Sequence, residues 1–462
     1  MVPDSDTTIG LIKAKEGGMG VLLQAFYWDC PREDQVECAW WEFVESRIRE
    51  LGKAGFTALW LPPASKGANI GGMSMGYDVY DYFDLGKYDQ KGSVKTWFGS
   101  ETELRSLIKA AHGQKMKVYA DLILNHNNGA DAEEFNPITG RNWWTKFSPK
   151  SNRFTRDWTC FNPSPYQELG TVTFGDMPDL CHINPRVSTG ILNHAKWLIE
   201  EVGFDGFRYD FVKGFGAWIV RAIHDRHYER RGKTVDIFGI GECWAGDEFI
   251  DSWLDGVNKW SEHRVGAFDF PLRYRLKELC DTYGFSLKRL ADGGVLMKDR
   301  PFEAVTFVDN HDFRGCGSGI DEIVNDKILA YAYILTHEGY PCVYWKDWFN
   351  YGLAQTGKPG GIERLVKIHE SHAGGATNIL YMNDLLYLME RTGAGSQPGL
   401  VFGLNNAGGT IRQWVQTGFS EKTLQPLAWY GTGATEPQVI TTGPGGWCEI
   451  EVPSRGYVVY GE

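Results

Sequence analysis

A chain of 462 residues, 42% hydrophobic and 23% charged, is long enough for one large domain with smaller ones attached. Its formal net charge of -12 leaves no basic stripe to neutralise phosphates, and no run of Lys or Arg exceeds the pair Arg230 and Arg231, so nucleic acid and anionic membrane are excluded as expected partners. No apolar stretch approaches the roughly 18 residues of a membrane span, and the opening MVPDSDTTIG lacks the basic start and apolar core of a secretion leader.

Short β-rich apolar runs alternate with amphipathic helical stretches along most of the chain. GVLLQAF (20–26) precedes a predicted helix over 42–53, and TALWLP (57–62) precedes one over 101–112. KVYADLIL (117–124) is followed by a polar connection from 127 to about 185 with no helical period, and only then by a helix over 188–201. GFRYD (206–210) leads to a helix over 217–230, IFGIGE (237–242) and AFD (267–269) to one over 272–283, AVTFVD (304–309) to one over 325–335, and PCVYW (341–345) to one over 360–372. Parallel neighbours need crossover connections and a barrel closes at eight strands, so the pattern predicts an α/β fold, a (β/α)8 TIM barrel. The alternative is an open doubly wound sheet, but no Gly-rich dinucleotide fingerprint opens any βα unit.

A connection as long as 127–185 is normally functional or a small domain of its own, and it is read here as an inserted domain B after strand three. The barrel then comprises 1–126 and 186–375. Beyond it, alternating runs (LLYLMERTG, GLVFGLNN, WCEIEVP, GYVVYGE) with Gly-rich turns predict a C-terminal antiparallel β domain over 376–462. Nine cysteines without a CxxC pair argue against a zinc module. Cys30 with Cys38, or Cys160 with Cys181, are candidate bridges in an oxidising compartment, and buried thiols are the equal alternative. The 18 tryptophans include the pairs Trp40, Trp41 and Trp143, Trp144 in polar surroundings, where flat rings commonly stack on sugars.

Barrel enzymes carry their reactive groups at the C-terminal ends of strands. Here those ends hold Asp121, Asn125 and His126 (strand three), Arg208 and Asp210 (strand four), Glu242 (strand five) and Asp309, His311 and Asp312 (strand seven). Structural ion pairing explains any one of these, Arg208 neutralising Asp210 for instance, but not four strand ends in agreement. Carboxylates around a neutral, aromatic-lined pocket suit glycosidic bond cleavage, which needs an acid to protonate the leaving oxygen and a carboxylate to meet the oxocarbenium-like centre. Metal-dependent hydrolysis would want paired histidines at ligand spacing, and His126 and His311 stand alone.

DLILNH (121–126), MPDLCHINP (177–185), GFRYDFVKG (206–214), GIGEC (239–243), FVDNHD (307–312) and GYDVYDYFDLGKY (76–88) form an ordered set that resembles the motifs of the α-amylase family of retaining glycoside hydrolases over nearly the whole chain. The resemblance implies that Asp210 is the nucleophile, held ionised by Arg208, and that Glu242 is the general acid and then the base. It implies that Asp312 binds sugar hydroxyls in the transition state, that His126 and His311 hydrogen-bond the same ring, that Tyr77 stacks under it, and that Lys213 reaches a sugar on the leaving-group side. It also implies a calcium ion between barrel and domain B, held by Asn125, Asp179 and the carbonyl of Gly214, with Glu168 and Asp176 the candidates for a remaining acid. Gly214 stands where many relatives have His, Cys181 where Asp is common, and Cys243 directly follows the acid.

The expected activity is endo-acting hydrolysis of α-1,4-glucan with retention, by a monomer acting on starch and maltooligosaccharides. An exo-acting maltooligosaccharide-forming enzyme or a transglycosylase shares the same chemistry and differs only in loops. A silent glucan-binding barrel is the non-enzymatic alternative, and such proteins lose the carboxylates this chain keeps. An extracellular location is expected because starch is too large to import, with cytoplasmic action on storage glucan as the other possibility.

Overall fold

The computed structural model describes residues 20–69, 72–258, 263–313 and 322–462; the opening segment read above for a leader, and Cys316, lie outside the described residues. Eight parallel strands close into a barrel. Its first half runs β1 (Leu22–Gln24), α1 (Trp40–Ala54), β2 (Ala58–Trp60), α2 (Glu101–Gly113) and β3 (Lys117–Leu122). A separate antiparallel hairpin follows, β4 (Ala132–Asn136) and β5 (Arg141–Lys146), and then α3 (Pro185–Trp197). The barrel resumes with β6 (Gly206–Tyr209), α4 (Ala217–His224), β7 (Phe238–Gly241), α5 (Asp247–Val257) and β8 (Val265–Phe268). It ends with α6 (Phe270–Asp281), β9 (Ala304–Phe307), α7 (Lys327–Ile334), β10 (Tyr340–Tyr344) and α8 (Ile362–His372). Each barrel strand neighbours the barrel strands before and after it in the chain, the arrangement that successive crossovers build.

All eight predicted strands form where the apolar runs lie, and their residues are almost wholly buried because parallel strands are covered on both faces. Local chemistry sets the helix starts. Ser100 caps α2 in a reciprocal capping box with Glu103, and Asn184 caps α3 with Pro185 at its first position. Two helical readings need correction. The predicted helix over 217–230 stops at His224, since the polar residues beyond it turn into a short antiparallel pair, Glu229–Arg230 with Lys233–Thr234. Helix α5 was not anticipated, although Ile250, Trp253, Leu254 and Val257 bury its core face at helical spacing.

Two compact units make up the chain: one is Ala25–Gly52 with Ala58–Phe268, the other the stretch up to Gln24, Lys53–Thr57 and Asp269–Glu462. In the first, β2, β3, β6, β7 and β8 pair in that order. In the second, β10 pairs with β1 and β9. The second unit also holds the C-terminal strands β11 (Thr377–Met382), β12 (Leu386–Arg391), β13 (Leu400–Asn405), β14 (Ile411–Gln416), β15 (Thr423–Tyr430), β16 (Trp447–Val452) and β17 (Gly456–Gly461). An antiparallel sheet of order β11-β12-β13-β17-β15, extended by Ile440–Thr441, and a ribbon of β14 and β16 enclose a core that includes Leu388, Val401, Ile450 and Val458.

Neither candidate bridge closes. Cys30, Cys38, Cys160 and Cys181 are free thiols, as are the other four described cysteines. Trp40 and Trp41, read above as sugar platforms, are instead core residues exposed by 1% and 0%, with the Trp40 indole donating to the Ala25 carbonyl at 3.1 Å.

Candidate active site

The parallel register sets Asp121 opposite Arg208 and Arg208 opposite Ile240. The ladder continues past the strand ends, with the Asp210 N–H donating to the Leu122 carbonyl at 3.0 Å and the Glu242 N–H to the Tyr209 carbonyl at 2.9 Å. Asp121, Arg208, Asp210 and Glu242 are thereby gathered where β3, β6 and β7 finish. Arg208 Nη1 donates to Asp121 Oδ1 at 2.7 Å and to Asp210 Oδ1 at 2.9 Å. Its Nη2 lies 3.0 Å from Glu242 Oε2, an ion-pair contact angled too poorly for a hydrogen bond. Arg208 is fully buried, and Asp210 and Glu242 keep 8% and 7% of their surface. A buried cation is tolerated only where acids answer it, and here three do.

Asp121 is the anchor of this group. Its other oxygen accepts from Trp60 Nε1 and from the Tyr77 hydroxyl, each at 3.0 Å. Burial pushes its carboxyl up to about 6, against the opposing pull of the Arg208 guanidinium and these donors. The guanidinium also lies over the rings of Trp60 and Tyr77, 5.0 and 5.9 Å from their centroids. Glu242 Oε2 accepts the Phe211 N–H at 2.7 Å. Phe211 sits in the left-handed region (φ 45, ψ 48), a conformation uncommon for a bulky side chain.

Around these acids, His126 has its Nε2 2.8 Å from the Tyr77 carbonyl and its ring stacked on Phe174 at 4.8 Å. Burial lowers its pKa, so the imidazole is neutral and Nε2 carries the donated proton. Tyr77 stacks on Trp28 with 5.9 Å between centroids. Lys213 donates to the Trp244 carbonyl at 3.1 Å. The Cys243 thiol is buried and pushed up to about 12, which keeps it protonated and makes it packing material.

In the other compact unit, His311 Nδ1 lies 2.9 Å from Gln24 Nε2, and His311 Nε2 lies 3.4 Å from Asp312 Oδ2. The Asp312 N–H donates to Asn310 Oδ1 at 2.9 Å, and the carboxylate side chain is 24% exposed. Asp309 behaves differently. It is buried between Arg273 at 2.7 Å and Lys327 at 2.8 Å, so of the two strand-seven acids it is the structural one.

The metal ligands implied by resemblance meet a fit test at Asn125. Its Oδ1 is buried with no hydrogen-bond partner, and a Cβ added to Gly214 would stand 2.2 Å from it. Asp179, 2% exposed, faces His126 across an antiparallel bridge and accepts from Asn162 Nδ2 at 3.1 Å, while Asn162 Oδ1 is itself buried and unsatisfied. Two orphaned amide oxygens and a buried carboxylate are the hard donors calcium prefers. Glu168 is engaged elsewhere: its carboxylate takes the His182 N–H and lies 3.7 Å from His182 Nδ1. Asp176 is exposed. Among the described residues no cluster of three or more His, Cys, Asp or Glu could hold a metal ion. Nothing in its own sequence neighbourhood marks Asn162; only its pairing with Asp179 brings it to this group.

Residues 40–351 match the family described as "Alpha amylase, catalytic domain", and residues 400–461 match "Alpha-amylase C-terminal". The chain belongs to the α-amylase family. The α-amylase of Bacillus licheniformis is 30% identical over 96% of this chain and 93% of its own length. The cytoplasmic α-amylase of Escherichia coli (strain K12) is 27% identical over 83% of this chain and 88% of its own. The crystal structure of the Geobacillus thermoleovorans α-amylase complexed with acarbose shares the fold, with a TM-score of 0.66 at 22% identity over 91% of each chain. As a member of the α-amylase family the protein is a glycoside hydrolase that cleaves α-1,4-glucan. No helix among the described residues is long and apolar enough to cross a membrane.

Proposed function

We propose that the protein is an endo-acting α-amylase that cleaves α-1,4-glucan with retention, using Asp210 as nucleophile and Glu242 as acid and base. The supporting observation is the buried Arg208, which holds both carboxylates within the span of one guanidinium. In the first step Asp210 attacks the anomeric carbon from the face opposite the leaving oxygen, the glycosidic C–O bond breaks, and the Glu242 proton passes to that oxygen. A β-glycosyl ester on Asp210 results. Glu242, now a carboxylate, takes a proton from water, the hydroxyl oxygen bonds to the anomeric carbon, and Asp210 leaves, so the product is again the α-anomer. Three acids against one guanidinium leave an excess of negative charge, which favours keeping a proton within the cluster for the acid step.

In this reading Asp312 takes hydroxyls of the distorted ring, His126 and His311 hydrogen-bond the same sugar, Tyr77 stacks under it, and Lys213 meets the leaving-group side. Asp121 is a positioning residue that acts through Arg208. Asn125, Asp179, the Gly214 carbonyl and Asn162 would hold calcium, which when bound supplies a fixed positive charge and ties the segments that carry them. Eight free thiols among the described residues suit a reducing compartment rather than the extracellular one.

The test is a time course on a long, end-blocked maltooligosaccharide with the first product's anomeric form resolved by NMR. The α-anomer should appear first, from internal cuts of mixed length. The β-anomer first would overturn retention, and a single product length would favour the exo-acting alternative, whose chemistry is named in relatives such as the glucan 1,4-alpha-maltohexaosidase of Bacillus sp. (strain 707).

A further inference from the structure

We propose that Gln24 is a positioning residue of the reaction: its side-chain amide fixes the proton of His311 on Nε2, the nitrogen that faces Asp312, and so makes that imidazole a hydrogen-bond donor to substrate. Gln24 is the one polar side chain in the run GVLLQAF. Every residue from Val21 to Phe26 is 0% exposed. A leucine at 24 would continue the apolar run, whereas a buried amide costs free energy for each group left unpaired. Gln24 Oε1 has no hydrogen-bond partner among the described residues. What the amide does gain is a bond across the fold, Nε2 to His311 Nδ1 at 2.9 Å, between positions 287 apart in the chain. Strand register explains the meeting. Strand β10 lies between β1 and β9, with Gln24 opposite Tyr344 and Phe307 opposite Cys342, so Gln24 is in register with the chain just past β9, where His311 follows.

An amide N–H only donates, so the ring nitrogen it meets must present its lone pair. In a neutral imidazole that leaves the proton on Nε2. The far side of the ring agrees. His311 Nε2 lies 3.4 Å from Asp312 Oδ2, where an N–H is attracted to the carboxylate. The opposite orientation of the amide would put the proton on Nδ1 and turn the Nε2 lone pair toward that carboxylate, a repulsive arrangement. At 3.4 Å the two groups are too far apart for a strong hydrogen bond, yet close enough for one hydroxyl oxygen to touch both. Such a hydroxyl accepts from Nε2–H and donates to Asp312, so its own proton has one direction and the sugar ring that carries it is held in one orientation. This role for Gln24 rests on the amylase reading, in which His311 and Asp312 meet the same sugar, and adds the residue that sets the polarity of that contact.

Two measurements on the full chain carry the test. In protein labelled with 15N-histidine, the His311 signals are assigned by their loss in His311→Ala. Wild-type His311 should show a protonated Nε2 and a bare Nδ1, and in Gln24→Met, which keeps the shape of the side chain and removes the donor, the Nδ1 signal should shift. A wild-type proton on Nδ1, or an Nδ1 signal that Gln24→Met leaves in place, overturns the proposal. The second measurement is a double-mutant cycle in kcat/KM on a short blocked maltooligosaccharide. Gln24→Met alone should lower it about tenfold, but in a His311→Ala background the same change should cost no more than about twofold, because Gln24 acts through that ring. An equal loss in both backgrounds would leave Gln24 a packing residue and overturn its positioning role. Should Gln24→Met fail to fold, the wild-type spectrum decides alone. Wild-type protein that turns over no maltooligosaccharide overturns the amylase reading and the catalytic consequence with it, whereas a proton on Nδ1 in an active enzyme overturns the role of Gln24 alone.

Discussion

Replacing Arg208 with methionine keeps the reach of the side chain and removes the one charge that Asp121, Asp210 and Glu242 share. Three buried or nearly buried acids would be left uncompensated, so Arg208→Met should lose about 3–5 kcal/mol of stability along with activity, read as a fall in thermal midpoint. Glu242→Gln separates chemistry from folding. It should lower kcat on starch by about 10²–10⁴-fold at nearly unchanged midpoint, while an aryl glycoside whose leaving group needs no protonation keeps its first step. Equal loss on both substrates would remove Glu242 from the acid role. At this scale the candidate acids were legible in the sequence, because Asp210, Glu242 and Asp312 sit at strand ends inside ordered motifs. The function of Asp121 was not: its bonds to Arg208, Trp60 and Tyr77 join residues as far as 87 positions apart.

Among the elements, the short 3-10 turn Val212–Gly214 after β6 brings a residue without a side chain against Asn125. If calcium binds there, a chelator should lower the thermal midpoint of the native protein, because a ligand bound only by the folded state stabilises it. Asn125→Ala should start from a lower midpoint and respond less to the chelator. Gly214→Ala, whose new methyl would collide with the Asn125 amide, should do the same. A midpoint insensitive to chelation in verified metal-free protein would end the assignment. Element boundaries show where pattern reading succeeds. The barrel strands were found because each is a short apolar run between turn signals. Helix α5 was overlooked although its apolar spacing is helical and its acidic first turn favours a helix start. The hairpin of β4 and β5 was invisible, as its exposed, charged strands carry no strong alternation.

For the molecule as a whole, acid stability is a balance of opposed titrations. Burial holds His194 and His224 in one unit down at about 3, and His337 and His369 in the other at about 3 and 4. Each is neutral in the fold and binds a proton once unfolded near 6.5, so its contribution is complete above that value and declines as pH falls toward the folded pKa. Asp269 and Glu370, pushed up by burial to about 6 and 7, act in the opposite sense. A difference between variants isolates one group: His194, packed among Tyr82, Phe83 and Trp197, can be replaced by phenylalanine. The gap in thermal midpoint, native minus His194→Phe, should shrink or reverse between pH 7 and pH 5; a constant gap would show that His194 does not titrate on unfolding. The sequence by itself determined the barrel, the order of its strands and which acids are candidates for the chemistry, because hydrophobic period and motif order are properties of consecutive residues. Tertiary structure alone decided that one guanidinium serves three acids, that Asp309 is structural while Asp312 is partly exposed, and that Asn162 joins Asp179. Each of these is a contact through space between distant positions, set by strand register and by chain reversals that no local pattern encodes.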